Sequence, residues 1–274
     1  MFSKVALIYK PTLKCIEMVK EISNTFTAKG SETILFTVDD LLPAEIENSQ
    51  LVVVVGGDGT FLKASSCLQG TGAFILPIHC GRRGAFFDPI SKPLSEIVED
   101  VLRGDFIVQY YPRLKACRGS DCKVFINELA LTSIDQGKIT GFSIIINTPG
   151  IDSRLEFEGD GLLVASSPGS AAYNLSAGGP LVDAWNSLII ITLLNPMQLN
   201  LRPIVLPSFA TRIRVSCRGF ASMFLDGEKI ATLSRGEEIT VSDSNNYLRV
   251  LRFKPRRDLL RNVIESRWVS FHQG

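Results

Sequence analysis

Leu51-Val52-Val53-Val54-Val55-Gly56-Gly57-Asp58-Gly59-Thr60-Phe61-Leu62-Lys63-Ala64 decides how the first part of this chain folds. The five apolar residues at its start are continuous, mostly β-branched and short, the pattern of a parallel strand buried on both faces. Glycines then break the strand, and a helix is expected from about Thr60 to Leu68. A strand that turns through glycine into a helix brings backbone N–H groups to a helix N-terminus, where the dipole favours phosphate. Glycine permits the close approach such a loop needs. Asp58 is the unexpected member, because a carboxylate repels phosphate. It fits if it takes a proton from a hydroxyl or organises a metal ion. The plain structural alternative is a turn whose Asp caps the helix. This is not a Walker A loop, which has four residues between its glycines and a Lys after the last.

Around this loop the chain alternates. Strands are expected at 4–9, 33–37 and 74–78. Cys15, Ile16, Val19, Ile22 and Phe26 recur at helical spacing between Pro11 and a stop at Gly30. A second helix is expected over 91–103, capped by Ser91 or Ser95 and stopped by Gly104. Short joins between alternating strands and helices imply a parallel sheet, with ligands at the carboxyl ends of its strands. After the strand at 74–78 come His79-Cys80-Gly81-Arg82-Arg83-Gly84-Ala85-Phe86-Phe87. This reads as a second loop lining the same crevice, with Arg82 and Arg83 either on donor phosphates or solvated.

The pattern changes at about residue 105. Strand-like runs then follow one another to residue 253, interrupted only by a helical stretch near 169–177. The expected organisation is a Rossmann-like α/β domain of residues 1–104 plus 255–274 and an all-β, sandwich-like domain of residues 105–254. The segment Pro255–Val263 resumes helical spacing and is expected to pack back on the first domain. Its neighbours Lys254, Arg256, Arg257 and Arg261 read as a solvated face.

Composition narrows the function. The 274 residues carry 45% apolar and 21% charged side chains, which suits a soluble globular protein of two modest domains or one large one. A net charge of +1 gives no reason to expect bulk electrostatic binding to nucleic acid or membrane. No apolar run reaches the roughly 20 residues that span a bilayer. The N-terminus enters a strand pattern without a signal-peptide layout, so a cytoplasmic location is expected. Six cysteines are scattered without a CxxC pair, and free thiols are expected, although Cys117 and Cys122 face each other across a predicted hairpin. Two histidines supply little zinc or histidine-base chemistry, which throws the weight onto carboxylates.

Two features of the β-rich part carry polar chemistry. Asn127-Glu128 interrupts the apolar run Val124 to Leu131. Adjacent polar residues in such a strand are exposed at a cleft or hydrogen-bonded, and both serve one pocket only if the strand ends or bulges there. An amide and a carboxylate suit ribose hydroxyls or an adenine edge. The run Gly159-Asp160-Gly161 through Ser170-Ala171-Ala172-Tyr173-Asn174-Leu175-Ser176-Ala177-Gly178-Gly179-Pro180 is built of small residues. It lets a flat ligand lie close, with Tyr173 as an aromatic face and Asp160 and Ser176 as partners for hydroxyls or amides.

The glycine loop, the Asn-Glu pair and this run, in this order, resemble the NAD kinase family over nearly the whole chain. Leu225-Asp226-Gly227-Glu228 and Arg202-Pro203-Ile204-Val205 are similar to its later Asp-Gly and Arg-Pro segments. The resemblance implies phosphorylation of NAD at the adenosine 2′-hydroxyl to give NADP, with ATP or polyphosphate as donor and a divalent metal, most simply Mg²⁺. It implies that Asp58 is the general base, with Gly57, Gly59 and Thr60 at the nucleotide. Asn127 and Glu128 become dinucleotide-binding residues. Asp160 and the stretch Ala171, Ala172, Tyr173, Asn174, Leu175 and Ser176 become the pocket for the nicotinamide half. It names no metal ligand, and it implies a homodimer or homotetramer. Four places depart from the family pattern: the stretch Ser167–Tyr173, with Ala171 near a customary hydroxyl; Glu158; Met197; and Arg83-Gly84-Ala85-Phe86. Two other readings share some of these motifs: a lipid kinase-like enzyme, which has a similar Gly-Gly-Asp-Gly-Thr loop, and a dinucleotide-binding regulator without catalysis.

Overall fold

The computed structural model describes residues 2–81, 84–88, 91–135 and 137–253, which form two units: residues 2–111 with the chain from Leu248, and Pro112–Tyr247. The expected helix at 255–263 and the arginines Arg82 and Arg83 lie outside the described residues.

The first unit runs β1 (Lys4–Tyr9), α1 (Leu13–Ala28), β2 (Glu32–Thr37), a one-turn α2 (Pro43–Ile46), β3 (Leu51–Gly56), α3 (Asp58–Ser66), β4 (Phe74–His79), α4 (Leu94–Arg103) and β5 (Ile107–Tyr111). Every residue of β3 is buried, as its unbroken apolar run requires. Alternation along the strands divides the core. Val5, Leu7, Val53 and Val55 pack with Val19, Ile22 and Phe26 of α1 and Ile97, Val98 and Val101 of α4. Ala6, Ile8, Val52 and Val54 are buried on the other face, and α3 packs on β3 and β1 with Phe61 and Ala64 inward. Helix α1 starts at Thr12, whose hydroxyl accepts the Cys15 N–H at 3.5 Å. Helix α4 starts after Pro93 with no side-chain cap, so neither serine fills that role, and stops at Gly104 with φ 83°.

The sheet order is β2-β1-β3-β4, then the strand Leu248–Arg252 (β18 in chain order), then β5. Strand β18 runs parallel to β4 and antiparallel to β5. The periodicity placed both 106–111 and 248–252 in the β-rich part. They belong to the first unit because their backbone groups complete its sheet. The expected strand at 106–117 is broken at Pro112-Arg113. Arg113 is buried there, and its Nε donates to the Asn246 carbonyl at 3.0 Å.

The second unit contains β6 (Leu114–Arg118), β7 (Asp121–Phe125), β8 (Glu128–Ser133), β9 (Thr140–Thr148), β10 (Ile151–Gly159), β11 (Gly161–Ser166), α5 (Tyr173–Ser176), β12 (Leu188–Leu194), β13 (Ile204–Pro207), β14 (Arg212–Cys217), β15 (Ala221–Leu225), β16 (Glu228–Leu233) and β17 (Glu238–Asp243). They form two six-stranded antiparallel sheets, β10-β9-β14-β17-β6-β7 and β13-β12-β11-β8-β15-β16. Leu129, Leu131, Leu162 and Val164 of one sheet meet Phe142, Ile144, Ile213 and Val215 of the other in a single core. The helical stretch expected at 169–177 is shorter than its spacing suggested: a 3-10 turn at Pro168–Ala171 and one turn of helix, α5.

The expectation of free thiols is corrected at four cysteines. Cys15, on the first turn of α1, is bonded to Cys80, just past β4, and Cys117 to Cys122 across the β6–β7 hairpin. The first pair is 65 residues apart in sequence and is brought together by the packing of α1 on the sheet. Cys217 is a buried free thiol. No helix among the described residues is long and apolar enough to cross a membrane.

Strand β11 fits only with glycine at its start. A Cβ on Gly161 would lie 2.2 Å from the Leu131 carbonyl oxygen and 3.0 Å from the Thr132 Cα, both backbone atoms of its partner strand β8. Gly161→Ala is expected to destabilise the protein by about 3 kcal/mol or more, the upper range for overpacking. Chemical denaturation of the two proteins measures this, and a change under about 1 kcal/mol contradicts the register.

Candidate active site

Asp58 is the first residue of α3, and Gly57 is the N-cap residue. The backbone N–H groups of Asp58, Gly59 and Thr60 fall in the first turn, where a helix offers no internal acceptors. Gly57 and Gly59 face open space, with no atom within 4 Å of an added Cβ. Gly56 does not: its Cβ would stand 2.5 Å from the Thr60 Oγ1, so the turn closes only with glycine there. Thr60 is buried and packs beneath the loop.

The Asp58 side chain does not cap its own helix. It reaches to the loop after β4, where the Ala85 N–H donates to its Oδ1 and Oδ2 at 2.9 and 3.0 Å and the Phe86 N–H to its Oδ1 at 3.3 Å. Gly84 allows this approach: a Cβ there would lie 3.3 Å from the Asp58 Oδ1 and 2.6 Å from the Phe87 ring. The Phe86 ring stacks on Phe61 of α3 at 4.4 Å, which holds the loop against the helix. A carboxylate fixed by amide donors at an anion-attracting helix start is placed to receive a proton without swinging away.

In the second unit the chain leaves strand geometry at Ile126-Asn127 and re-enters it at Glu128, so the Asn-Glu pair sits at a break rather than along a flat strand. Asp226, at φ 49° in the β15–β16 turn, makes that break. Its carboxylate accepts the Ile126 N–H at 3.0 Å and the Asn127 N–H at 2.6 Å, while its own N–H donates to the Glu128 carbonyl at 3.0 Å. Asn127 and Glu128 are both buried, and the Asn127 Oδ1 and Glu128 Oε2 have no hydrogen-bond partner among the described residues. Burial and the nearby Asp226 push the Glu128 carboxyl up to about 7. Burial likewise raises Asp226 to about 6.

The small-residue run packs directly on this break. A Cβ at Gly169 would lie 2.0 Å from the Asn127 carbonyl oxygen, and the Ser166 N–H donates to that same oxygen at 2.9 Å. Asp160, Tyr173 and Ser176 line a cavity of about 590 Å³ with Ser133, Lys138 and Asn195 among its other walls. Asn195 donates through its Nδ2 to the Asp160 Oδ2 at 2.8 Å. Ala171 is buried beside it in the turn. Asn174 turns away and is wholly buried: its Nδ2 donates to the Ser170 and Pro180 carbonyls at 3.1 and 3.0 Å, and its Oδ1 accepts the Thr192 hydroxyl at 2.7 Å. Its amide is fully used inside the fold, so Asn174 supports the run instead of facing a ligand. The sequence reading gave no role to Ser133, Lys138, Asn195 or the Ala85 and Phe86 amides, and it named Asp226 only within the Asp-Gly segment of the family resemblance.

Residues 9–106 match the ATP-NAD kinase N-terminal domain and residues 126–253 the ATP-NAD kinase C-terminal domain. An NAD kinase of Aeropyrum pernix is 31% identical over 208 residues, covering 74% of this chain and 72% of the relative. One of Saccharolobus solfataricus is 28% identical over 269 residues, covering 96% and 98%. Among solved structures, an NAD kinase from Archaeoglobus fulgidus in complex with ATP superposes with a TM-score of 0.77 at 25% identity, covering 96% of this chain and 97% of that one. Yeast NADH kinase complexed with NADH superposes with a TM-score of 0.85 at 23% identity, covering 100% and 89%, a likeness of fold.

The raised carboxyls have a consequence for stability. Between its ordinary value of 4.5 and about 7, Glu128 holds a proton in the folded chain that the unfolded chain has released. Stability therefore falls as pH rises through that window, by no more than about 3 kcal/mol for this group. Glu128→Gln is expected to flatten the decline and to raise the melting midpoint at pH 8. Thermal unfolding from pH 4.5 to 8 checks it, and an unchanged pH profile contradicts it.

Proposed function

The chain belongs to the NAD kinase family, and on that premise we propose that it transfers the terminal phosphoryl group of ATP to the adenosine 2′-hydroxyl of NAD, giving NADP, with Asp58 as the general base. The observation that carries this reading is the grip of the Ala85 and Phe86 amides on the Asp58 carboxylate at the start of α3. The 2′-oxygen attacks the terminal phosphorus as the bond to the ADP oxygen breaks, and the 2′-proton passes to Asp58. A ribose hydroxyl is a poor acid, so the proton moves late. Most of the acceleration comes from positioning and from neutralising phosphate charge. The unsatisfied N–H groups of Asp58, Gly59 and Thr60 supply part of the second.

Asn127 and Glu128 bind the dinucleotide. Their buried, unpaired oxygens are acceptors awaiting the hydroxyl or amino donors of the adenosine half. The cavity with Asp160, Tyr173 and Ser176 takes the nicotinamide half, with the Tyr173 ring as its platform. No three His, Cys, Asp or Glu side chains gather to hold a metal ion among the described residues. The divalent cation is therefore assigned to the donor: Mg²⁺ commonly binds through substrate phosphates and keeps much of its water. The charged and amide groups around the cavity, Asp160, Lys138 and Asn195, do not suit the acyl chains of a lipid acceptor.

The family habit of self-association has a matching surface in the second unit. Met197, Leu199, Val205 and Phe209 are exposed, and β13, which carries Val205, is the outer strand of its sheet. We assign this edge to pairing with a second copy.

Two experiments test these assignments. With NAD, ATP and Mg²⁺, Asp58→Asn is expected to lower kcat at least about a hundredfold, the scale of general-base loss, while NAD affinity stays within about threefold. Turnover near that of the parent protein removes Asp58 from the role, and a parent protein that makes no NADP refutes the enzyme. By light scattering, the parent is expected to be a dimer or larger and the Val205→Asp/Phe209→Asp variant to dissociate; a monomeric parent refutes the edge assignment.

A further inference from the structure

We infer that Arg252 is a positioning residue for phosphoryl transfer: from β18 it fixes the loop whose amides hold the Asp58 carboxylate. The inference rests on the role given to Asp58 above.

Arg252 is only 7% exposed, and a buried guanidinium requires acceptors on every side. Its Nε donates to the Gln109 Oε1 at 2.9 Å and its Nη2 to the Tyr111 hydroxyl at 2.9 Å, both on β5. Its Nη1 donates to the Phe86 carbonyl at 2.8 Å and lies 3.6 Å from the Asp88 Oδ2. Two partners therefore belong to the sheet and two to the loop. Phe86 is the link: its N–H donates to Asp58 and its carbonyl accepts from Arg252, so one residue carries the connection from β18 to the base. The Phe86 ring is held separately, stacked on Phe61 and edge-on to Tyr111 at 5.9 Å. Ring packing fixes where Phe86 sits but leaves its peptide groups free to tilt. The guanidinium fork limits that freedom: it anchors the Phe86 carbonyl, in the peptide plane that shares the Phe86 Cα with the plane whose N–H meets Asp58.

Arg252→Gln removes the fork, and Arg252→Lys keeps the charge with a point donor that cannot serve four acceptors at once. Tyr111→Phe is a milder variant that deletes one partner should either Arg252 variant fold poorly. Each is assayed well below its melting midpoint for kcat and for KM toward NAD and ATP. Displacing a base by a fraction of an ångström to 1 Å costs about ten- to a hundredfold. Arg252→Gln is therefore expected to lower kcat by about that much, with both KM values within about threefold. Arg252→Lys is expected to recover part of the loss, and Tyr111→Phe to lose less. In an Asp58→Asn background, followed by a sensitive NADP cycling assay, adding Arg252→Gln is expected to change the residual rate less than about twofold, because the two act as one unit. The inference is overturned if Arg252→Gln lowers the melting midpoint but keeps kcat within about twofold of the parent. Losses that multiply across the double variant overturn it as well. Both outcomes leave the role of Asp58 standing when Asp58→Asn alone is inactive. An active Asp58→Asn removes that role, and this inference falls with it.

Discussion

A carboxylate taken out of water must be given hydrogen-bond donors, and in this protein the donors at the candidate site are backbone amides. Asp58 is held by Ala85 and Phe86, and Asp226 by Ile126 and Asn127. Each acid thus ties its own element to a segment far away in sequence. An amide cannot be repositioned by a rotamer change, so its direction follows the strand or turn that carries it. The placing of the acids is therefore set by the sheets behind them.

The same constraint explains the small residues. The 168–171 turn approaches Asn127 so closely that a methyl group at Gly169 would enter its carbonyl, and a Cβ at Gly179 would lie 2.1 Å from the Asn174 Oδ1. These contacts leave Tyr173 and Ser176 on the cavity wall. A tight backbone junction and one wall of a cavity thus come from one short segment.

Much of the first unit was legible because strands buried on both faces leave continuous apolar runs, and because Gly30 and Gly104 mark helix ends. Asp58 stood out because its glycine neighbours made a carboxylate unusual there. Long-range pairing was not legible. Nothing local in Leu248–Arg252 says that it joins a parallel neighbour on one side and an antiparallel one on the other. The Cys15–Cys80 bond spans 65 residues and follows only from how α1 settles on the sheet. Asn174 looked like a ligand contact because its polarity is visible in sequence and its burial is not. Ser133, Lys138 and Asn195 are ordinary turn residues until the loops converge. Arg252 carried no signal in the sequence, because its hydrogen-bond acceptors on Tyr111, Gln109 and Phe86 lie 141, 143 and 166 residues away.

The entry and exit of the second unit are neighbouring strands: Leu248 stands opposite Tyr111 in the β5–β18 pair. The second unit is thus an insertion within the first, and the order of synthesis matters. When the ribosome has delivered 247 residues, the inserted sandwich has all its strands, whereas the older parallel sheet still has a gap between β4 and β5. The domain begun first is the one finished last, and the guanidinium that anchors the loop holding Asp58 emerges among the last residues of the strand that fills that gap.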